Sequence, residues 1–200
     1  MESSVILIDC DGPVLDFDGS LLKEIRPETT VDEIKNLNEW DIFKLFDDEQ
    51  LKKTHKLLKK GEFWNSIPVH DHAINAVEKM RSVGGEIIFL TSPWVSCKNW
   101  EYIRREKLKK TFKISNEQFI STRRKELVYG DVFIDDKLEN VEKWHERWKY
   151  YRCYAILFET LTNYKSLWYP RIYASMGKSW KLATAGTESR LSEFFGEKNG

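Results

Sequence analysis

The sequence has few of the features that mark an exported, disulfide-bonded or membrane-bound protein. It contains three cysteines, Cys10, Cys97 and Cys153, and an odd number without metal-like spacing favours free thiols in a reducing compartment. No apolar run approaches the ~20 residues that span a bilayer, and only Met1 to Ser4 precede the first apolar run, too few for an export signal. We therefore expect a cytoplasmic protein that does not enter a membrane.

The sequence also lacks net charge. Its 32 Lys and Arg residues balance 32 Asp and Glu residues, so no overall field favours nucleic acid or an anionic membrane, and we expect no stable nucleic-acid partner. The basic stretch RREKLKKTFK, residues 104–113, could form a strip for nucleic acid. We favour the alternative that it is a solvated helix face.

Short apolar runs alternate with segments of helical periodicity. The runs lack the in/out alternation of a half-exposed strand, which is typical of strands buried on both faces of a parallel sheet. They are VILI (5–8), EIIFL (86–90), QFI (118–120), DVFI (131–134) and YAILF (154–158). Helices are predicted over 73–83, with Asp71 as a cap, and over 95–110 and 137–151. The sequence thus predicts an α/β fold with right-handed crossovers.

The interval between the first and second runs is about seventy residues long, far more than one crossover helix needs. Two capping-box patterns, Thr30 with Glu33 and Asp47 with Gln50, indicate helix starts within it, and Gly61 is expected to end the second helix. We predict a helical insertion over 17–69 on a core formed by 1–16 and 70–200. After residue 160 we expect a surface loop and a short final helix, LSEFFGE.

Polar residues follow the predicted strands where they end. Asp9 and Asp11 follow the first run, Thr91 and Ser92 the second, Lys125 the third, and Asp135 and Asp136 the fourth. In parallel sheets these ends line the ligand crevice. Clustered carboxylates repel one another, and all-oxygen ligation with phosphate nearby suits Mg²⁺. The hydroxyls of Thr91 and Ser92 and the ammonium of Lys125 would supply donors to a phosphoryl group.

These motifs together resemble those of the haloacid dehalogenase superfamily of phosphatases, most closely the 5′(3′)-deoxyribonucleotidases. The resemblance rests on DCDGPVLDF, FLTSPW, TRRKELVYGDVFIDD and the late Ser179-Trp180. It implies a Rossmann-like core with a five-stranded parallel sheet in the order 3-2-1-4-5 and a helical cap inserted after strand 1. A homodimer is a further expectation, since members of the family are often dimers.

The resemblance also implies a role for each motif residue. Asp9 would be the nucleophile that forms an aspartyl-phosphate, and Asp11 the general acid and base. Asp9, Asp11 (through its carbonyl), Asp135 and Asp136 would hold Mg²⁺. Thr91, Ser92 and Lys125 would bind the phosphate, and the aromatic rings of Phe17 and Trp40 would contact the nucleobase.

Several alternatives remain open from the sequence. The substrate could be a nucleoside monophosphate, a sugar phosphate or a nucleic-acid 3′-phosphate end, and a non-catalytic binding module could share the fold. Phe17 and Trp40 could instead fill the core of the insertion, and packing is the favoured role for Phe63, Trp64 and Trp94.

Overall fold

A single sheet organises the chain. The computed structural model describes residues 4–37, 39–166, 168, 170–175 and 179–183. Within them, seven strands form a sheet in the order β3-β2-β1-β4-β5-β6-β7. The strands are β1 (Ser4–Ile8), β2 (Gly85–Thr91), β3 (Phe119–Ser121), β4 (Val132–Asp135), β5 (Tyr154–Phe158), β6 (Arg171–Ser175) and β7 (Ser179–Ala183). β1 to β6 are parallel, and β7 pairs antiparallel with β6. The predicted order of the first five strands is confirmed.

Burial on both faces explains why the central strands have no alternating pattern. Ile6 and Ile8 of β1 join the larger apolar cluster, whereas Leu7 between them packs with Phe133 and Trp144 on the opposite face. Successive side chains of a strand point to opposite faces, so a strand covered on both sides needs apolar residues throughout.

Three helices make the crossovers between strands. They are α5 (Asp71–Ser82), α6 (Trp100–Phe112) and α7 (Leu138–Trp148). The prediction that Asp71 caps the first of these helices is wrong, because Asp71 is its first helical residue and His70 precedes it without a side-chain capping bond. No helix among the described residues is long and apolar enough to cross a membrane.

The insertion between β1 and β2 is helical, as its capping patterns predict. It contains α1 (Phe17–Ile25), α2 (Val31–Asn36), a 3₁₀ turn (Ile42–Leu45), α3 (Asp48–Leu57) and α4 (Gly61–Ser66). Both predicted capping boxes are formed, Thr30 with Glu33 and Asp47 with Gln50. Gly61 does not end α3, which stops at Leu57; instead it begins α4.

The chain enters and leaves the insertion through two paired segments. The Asp16 backbone N–H donates to the Pro68 carbonyl at 3.1 Å, and the His70 N–H donates to the Val14 carbonyl at 2.9 Å. Leu15 and Val69 form an antiparallel bridge between these bonds. The two crossings therefore lie side by side, at the edge of the sheet where β1 ends.

The expectation of a surface loop after residue 160 is wrong over β6 and β7, which extend the sheet. Trp180 of β7 is buried, and its indole N–H donates to His72 Nδ1 at 2.8 Å. Neither strand has a long apolar run to signal it. The predicted final helix LSEFFGE lies outside the described residues.

Candidate active site

Three carboxylates meet where β1 and β4 end. The Asp9 backbone N–H donates to the Ile134 carbonyl at 2.8 Å, which aligns the two strand ends. Asp9, Asp135 and Asp136 are all buried, and one carboxylate oxygen from each lies within 4.8 Å of the others. The parallel register thus brings together residues that are more than a hundred positions apart.

Lys125 joins this cluster from the 3₁₀ turn Lys125–Leu127 that follows β3. Its Nζ lies 2.7 Å from Asp9 Oδ1 and 2.7 Å from Asp135 Oδ2. Burial acts to lower the pKa of Lys125, but the carboxylates of Asp135 and Asp9 outweigh it and raise the pKa above its usual value. Asp135 also accepts bonds from the Lys137 N–H at 2.8 Å and from Asn140 Nδ2 at 3.1 Å.

Lys125 alone does not neutralise three buried carboxylates. Burial raises the pKa of Asp9 to about 7, with Asp135 and Asp11 adding to the effect and Lys125 opposing it. Burial and the neighbouring Asp135 and Asp9 raise the pKa of Asp136 well above its usual range. Asp136 Oδ1 is buried and has no hydrogen-bond partner among the described residues. An orphaned oxygen and surplus negative charge fit an oxygen-liganded cation, so this cluster can hold a metal ion.

Asp11 lies outside the three-carboxylate cluster. Its Oδ1 accepts a hydrogen bond from Nη2 of Arg104, which is fully buried on α6. The prediction of a solvated basic face is therefore wrong for Arg104. The signal that could have revealed it is the spacing of the buried residues of α6, which fall at every fourth position: Trp100, Arg104, Leu108 and Phe112.

The predicted phosphate-binding hydroxyls lie at the same edge of the sheet. Thr91 ends β2, which pairs in parallel with β1 so that Phe89 lies beside Ile8. Thr91 is therefore level with the residues that follow β1. Thr91 is buried and Ser92 is exposed.

The two predicted base-contacting rings lie in different surroundings. The Phe17 ring stacks on Trp64, with centroids 5.5 Å apart and planes at 14°. The Trp40 indole N–H donates to Asp136 Oδ2 at 2.9 Å, and Lys137 Nζ lies 5.0 Å from the Trp40 ring centroid. Trp40 thus contacts a carboxylate of the candidate metal site.

A group of packed rings adjoins Phe17. Trp64 lies 5.7 Å from Trp94 and 6.0 Å from Trp100, measured between ring centroids. Phe63 and Trp64 are buried, and Trp94 packs against the same core. The predicted packing role of these three rings is confirmed.

A cavity of about 520 Å³ adjoins the site between α1, α2 and the loop after β5. Its lining includes Gly12, Phe17, Asp18, Ile34, Lys35 and Tyr164. Asp18 is near enough to Asp11 and Asp136 for the three carboxylates to interact electrostatically. Because Gly12 lines the cavity and also lies against Asp136, the cavity is next to the carboxylate cluster.

The pKa of Asp18 predicts a dependence of stability on pH. Burial raises this pKa from 3.8 to about 7, and Asp11, Asp16 and Asp41 add to the effect. When the pKa of a carboxyl group is higher in the folded protein than in the unfolded one, its contribution to stability is complete at pH values below the unfolded-state pKa. That contribution is lost as the pH rises through the folded-state pKa. In EDTA, we expect Asp18→Asn to raise Tm by roughly 2–4 °C at pH 8 and much less at pH 5. The exposed Asp32→Asn is the control, and an equal gain at both pH values would contradict this expectation.

Gly12 brings the loop after β1 close to Asp136. Its φ is +88°, and a Cβ on it would lie 2.6 Å from Asp136 Oδ2. Gly84 is a matched control, because its φ is +91° and nothing lies within 4 Å of its Cβ position. We expect backbone strain to lower the free energy of unfolding of both alanine variants by about 1–2 kcal/mol. Gly12→Ala alone should also lower kcat/KM by about 10²-fold, because it displaces Asp136. Equal activity in the two variants would show that the close approach is unimportant.

The chain is similar to known proteins in sequence and in fold. Residues 3–172 match the family described as 5′ nucleotidase, deoxy (pyrimidine), cytosolic type C. No curated protein matches the sequence significantly. Among solved structures, the chain is similar to a protein from Burkholderia xenovorans LB400 described as haloacid dehalogenase-like. The match has a TM-score of 0.52 and 18% identity, and it covers 83% of this chain and 89% of the other. At this identity, the likeness shows the fold.

Proposed function

The chain belongs to the family of cytosolic type C 5′-nucleotidases, deoxy (pyrimidine), and is thus a phosphoric monoester hydrolase; we propose that it is a magnesium-dependent nucleotidase. It would hydrolyse (deoxy)ribonucleoside monophosphates to nucleoside and phosphate through an aspartyl-phosphate. The family description also supports a cytoplasmic location. The observation that carries the proposal is the convergence of Asp9, Asp135, Asp136 and Lys125 within one buried site.

In this proposal, Asp9 is the nucleophile. Its Oδ1 is engaged by Lys125 and by the Cys10 N–H, which leaves Oδ2 to attack phosphorus in line. Asp11, at the exposed side of the loop, protonates the leaving ribose oxygen and then takes a proton from the water that attacks the aspartyl-phosphate.

The remaining charged groups would bind the phosphate and the metal. Asp9, the Asp11 carbonyl, Asp135 and Asp136 would hold Mg²⁺, which when bound neutralises phosphoryl oxygens. The Lys125 ammonium would also form an ion pair with the phosphate. The hydroxyls of Thr91 and Ser92, at the end of β2, would donate hydrogen bonds to the phosphate oxygens.

We propose that residues 17–69 act as a cap and that the cavity beside Gly12 receives the nucleoside. The segments that pair at Leu15 and Val69 would connect this cap to a core formed by 1–16 and 70–200. Phe17 lines the cavity and would stack on the base, and such contacts are worth ~1–3 kcal/mol per base. Trp40 would close the site from the side of Asp136.

Phosphate release from a panel of substrates tests this function. The panel contains deoxyribonucleoside and ribonucleoside monophosphates, sugar phosphates and 3′-phosphorylated oligonucleotides, each assayed with Mg²⁺, with chelator, and with Mg²⁺ restored. We expect nucleoside monophosphates to be hydrolysed with the highest kcat/KM, and chelator to abolish turnover reversibly. Hydrolysis of sugar phosphates or oligonucleotide ends without hydrolysis of nucleotides would overturn the proposed substrate class. Hydrolysis at an unchanged rate in the presence of chelator would overturn the proposed magnesium dependence.

A further inference from the structure

Arg104 is a buried cation with an unusual set of neighbours. Its guanidinium carbon lies 5.0 Å from the ring centroid of Trp64 and 5.8 Å from that of Trp100. Nη2 donates to Asp11 Oδ1, whereas Nε and Nη1 are buried without a hydrogen-bond partner among the described residues. Arg104 is fully buried, and the Asp11 side chain is 29% exposed.

This burial is costly, and among the described residues one ion pair and two aromatic rings offset it. A buried charge is tolerated when it is paired and when aromatic faces replace part of its hydration. Asp11 is the anion paired with Arg104 among the described residues. A lysine at this position could not reproduce the arrangement, because only the planar guanidinium can face two rings while it directs one N–H to a carboxylate.

The two rings come from different parts of the chain. Trp64 lies on α4 of the insertion, whereas Trp100 lies on the same helix as Arg104. A second contact joins these regions, because Lys107 Nζ, one turn further along α6, donates to the Ile67 carbonyl just after α4. The position of the guanidinium thus depends on the packing of α4 against α6.

We propose that Arg104 is the positioning residue for Asp11 in the proposed nucleotidase reaction. By holding Asp11 Oδ1, Arg104 fixes the orientation of the carboxyl group and leaves Oδ2 to carry the proton. Oδ2 gives this proton to the ribose oxygen while the bond between that oxygen and phosphorus breaks and the bond between Asp9 and phosphorus forms. Trp64 makes this orientation conditional on the insertion being packed over the core. The inference rests on the proposed function.

The leaving group separates this role from a merely structural one. An alkoxide leaving from a nucleotide needs protonation, whereas p-nitrophenolate leaves without it, so loss of a positioned acid harms the two esters unequally. kcat/KM reports the steps up to transfer of the phosphoryl group to Asp9. We therefore compare kcat/KM for a nucleoside monophosphate and p-nitrophenyl phosphate in the wild type, Arg104→Lys and Arg104→Met.

We expect Arg104→Met to lower kcat/KM for the nucleotide by about 10²-fold and for p-nitrophenyl phosphate by less than about 5-fold. Arg104→Lys should fall between the wild type and Arg104→Met, because it keeps the charge and loses the fixed geometry. Arg105→Met is the matched control at the next residue, a partly exposed arginine whose Nη1 lies 3.6 Å from Glu101 Oε1. It should leave kcat/KM for both esters unchanged. Thermal unfolding identifies any variant that fails to fold. If Arg104→Met fails to fold, the two esters are still compared with Arg104→Lys.

Equal losses on the two esters in Arg104→Lys would overturn the proposal, as would unchanged nucleotide turnover in both variants. Asp9→Asn distinguishes this failure from failure of the proposed function. If Asp9→Asn abolishes turnover of both esters while Arg104→Lys affects them equally, the nucleotidase proposal stands and the positioning role falls. If the wild type hydrolyses neither ester, the proposed function itself has failed, and the positioning role falls with it.

Discussion

Asp9→Asn is expected to lower kcat for nucleoside monophosphates by at least about 10⁴-fold, because the amide cannot attack phosphorus to form the acyl-phosphate. The loss should be as large for p-nitrophenyl phosphate, since both esters must transfer their phosphoryl group to this oxygen. Asparagine has nearly the same shape and can still accept the bonds that Asp9 Oδ1 takes from the Cys10 N–H and Lys125. The fold should therefore be retained.

Asp131→Asn is a suitable control for that measurement. Asp131 precedes β4, at the end of the strand opposite to the site, and its Oδ2 accepts from the Val5 N–H at 2.8 Å. An asparagine oxygen can accept the same bond, so we expect nearly unchanged kcat. If Asp9→Asn retained activity close to that of Asp131→Asn, the covalent route would be excluded.

Lys125→Met is expected to affect both stability and turnover. Methionine fills a similar volume but leaves Asp9 and Asp135 buried beside Asp136 without their cation. Removing one partner of a buried ion pair costs about 3–5 kcal/mol. We expect a loss of this size in urea unfolding with EDTA and a smaller loss with Mg²⁺, because the metal would compensate the same carboxylates.

The same substitution should lower kcat/KM by about 10²–10³-fold, because it removes a cation that would bind the phosphate in the transition state. Lys143→Met is the control, since Lys143 pairs with Glu139 on an exposed face of α7. It should change stability by less than about 0.5 kcal/mol and leave kcat/KM unaltered. A Lys125→Met protein as stable in EDTA as the control would contradict the electrostatic account of the cluster.

The strands and the acidic residues at their ends could be predicted because both follow from local pattern. A strand buried on both faces must be apolar throughout, as Ile6, Leu7 and Ile8 are, and the polar residues that follow it are then conspicuous. The parallel arrangement carries these residues to one edge without further information. The proximity of Asp9, Asp135, Asp136 and Lys125 is therefore accessible from the sequence.

Contacts that depend on long-range packing could not be predicted in this way. Arg104 lies in a helix rich in lysine, and its burial depends on two tryptophans and Asp11 reaching it from different elements. The bond from Trp40 to Asp136 joins residues 96 positions apart. Trp180 belongs to the motif pattern, but its bond to His72 depends on the position of β7, a strand whose mixed composition shows no clear apolar pattern.

The most direct test of the central claim is a crystal structure of the protein with Mg²⁺ and fluoroberyllate, a mimic of the phosphoryl group. The account predicts beryllium bonded to an Asp9 carboxylate oxygen, the metal ion held among Asp9, Asp135 and Asp136, and Lys125 Nζ within hydrogen-bond distance of a fluorine. A fluoroberyllate group bonded elsewhere, or a metal ion bound away from these three carboxylates, would contradict it.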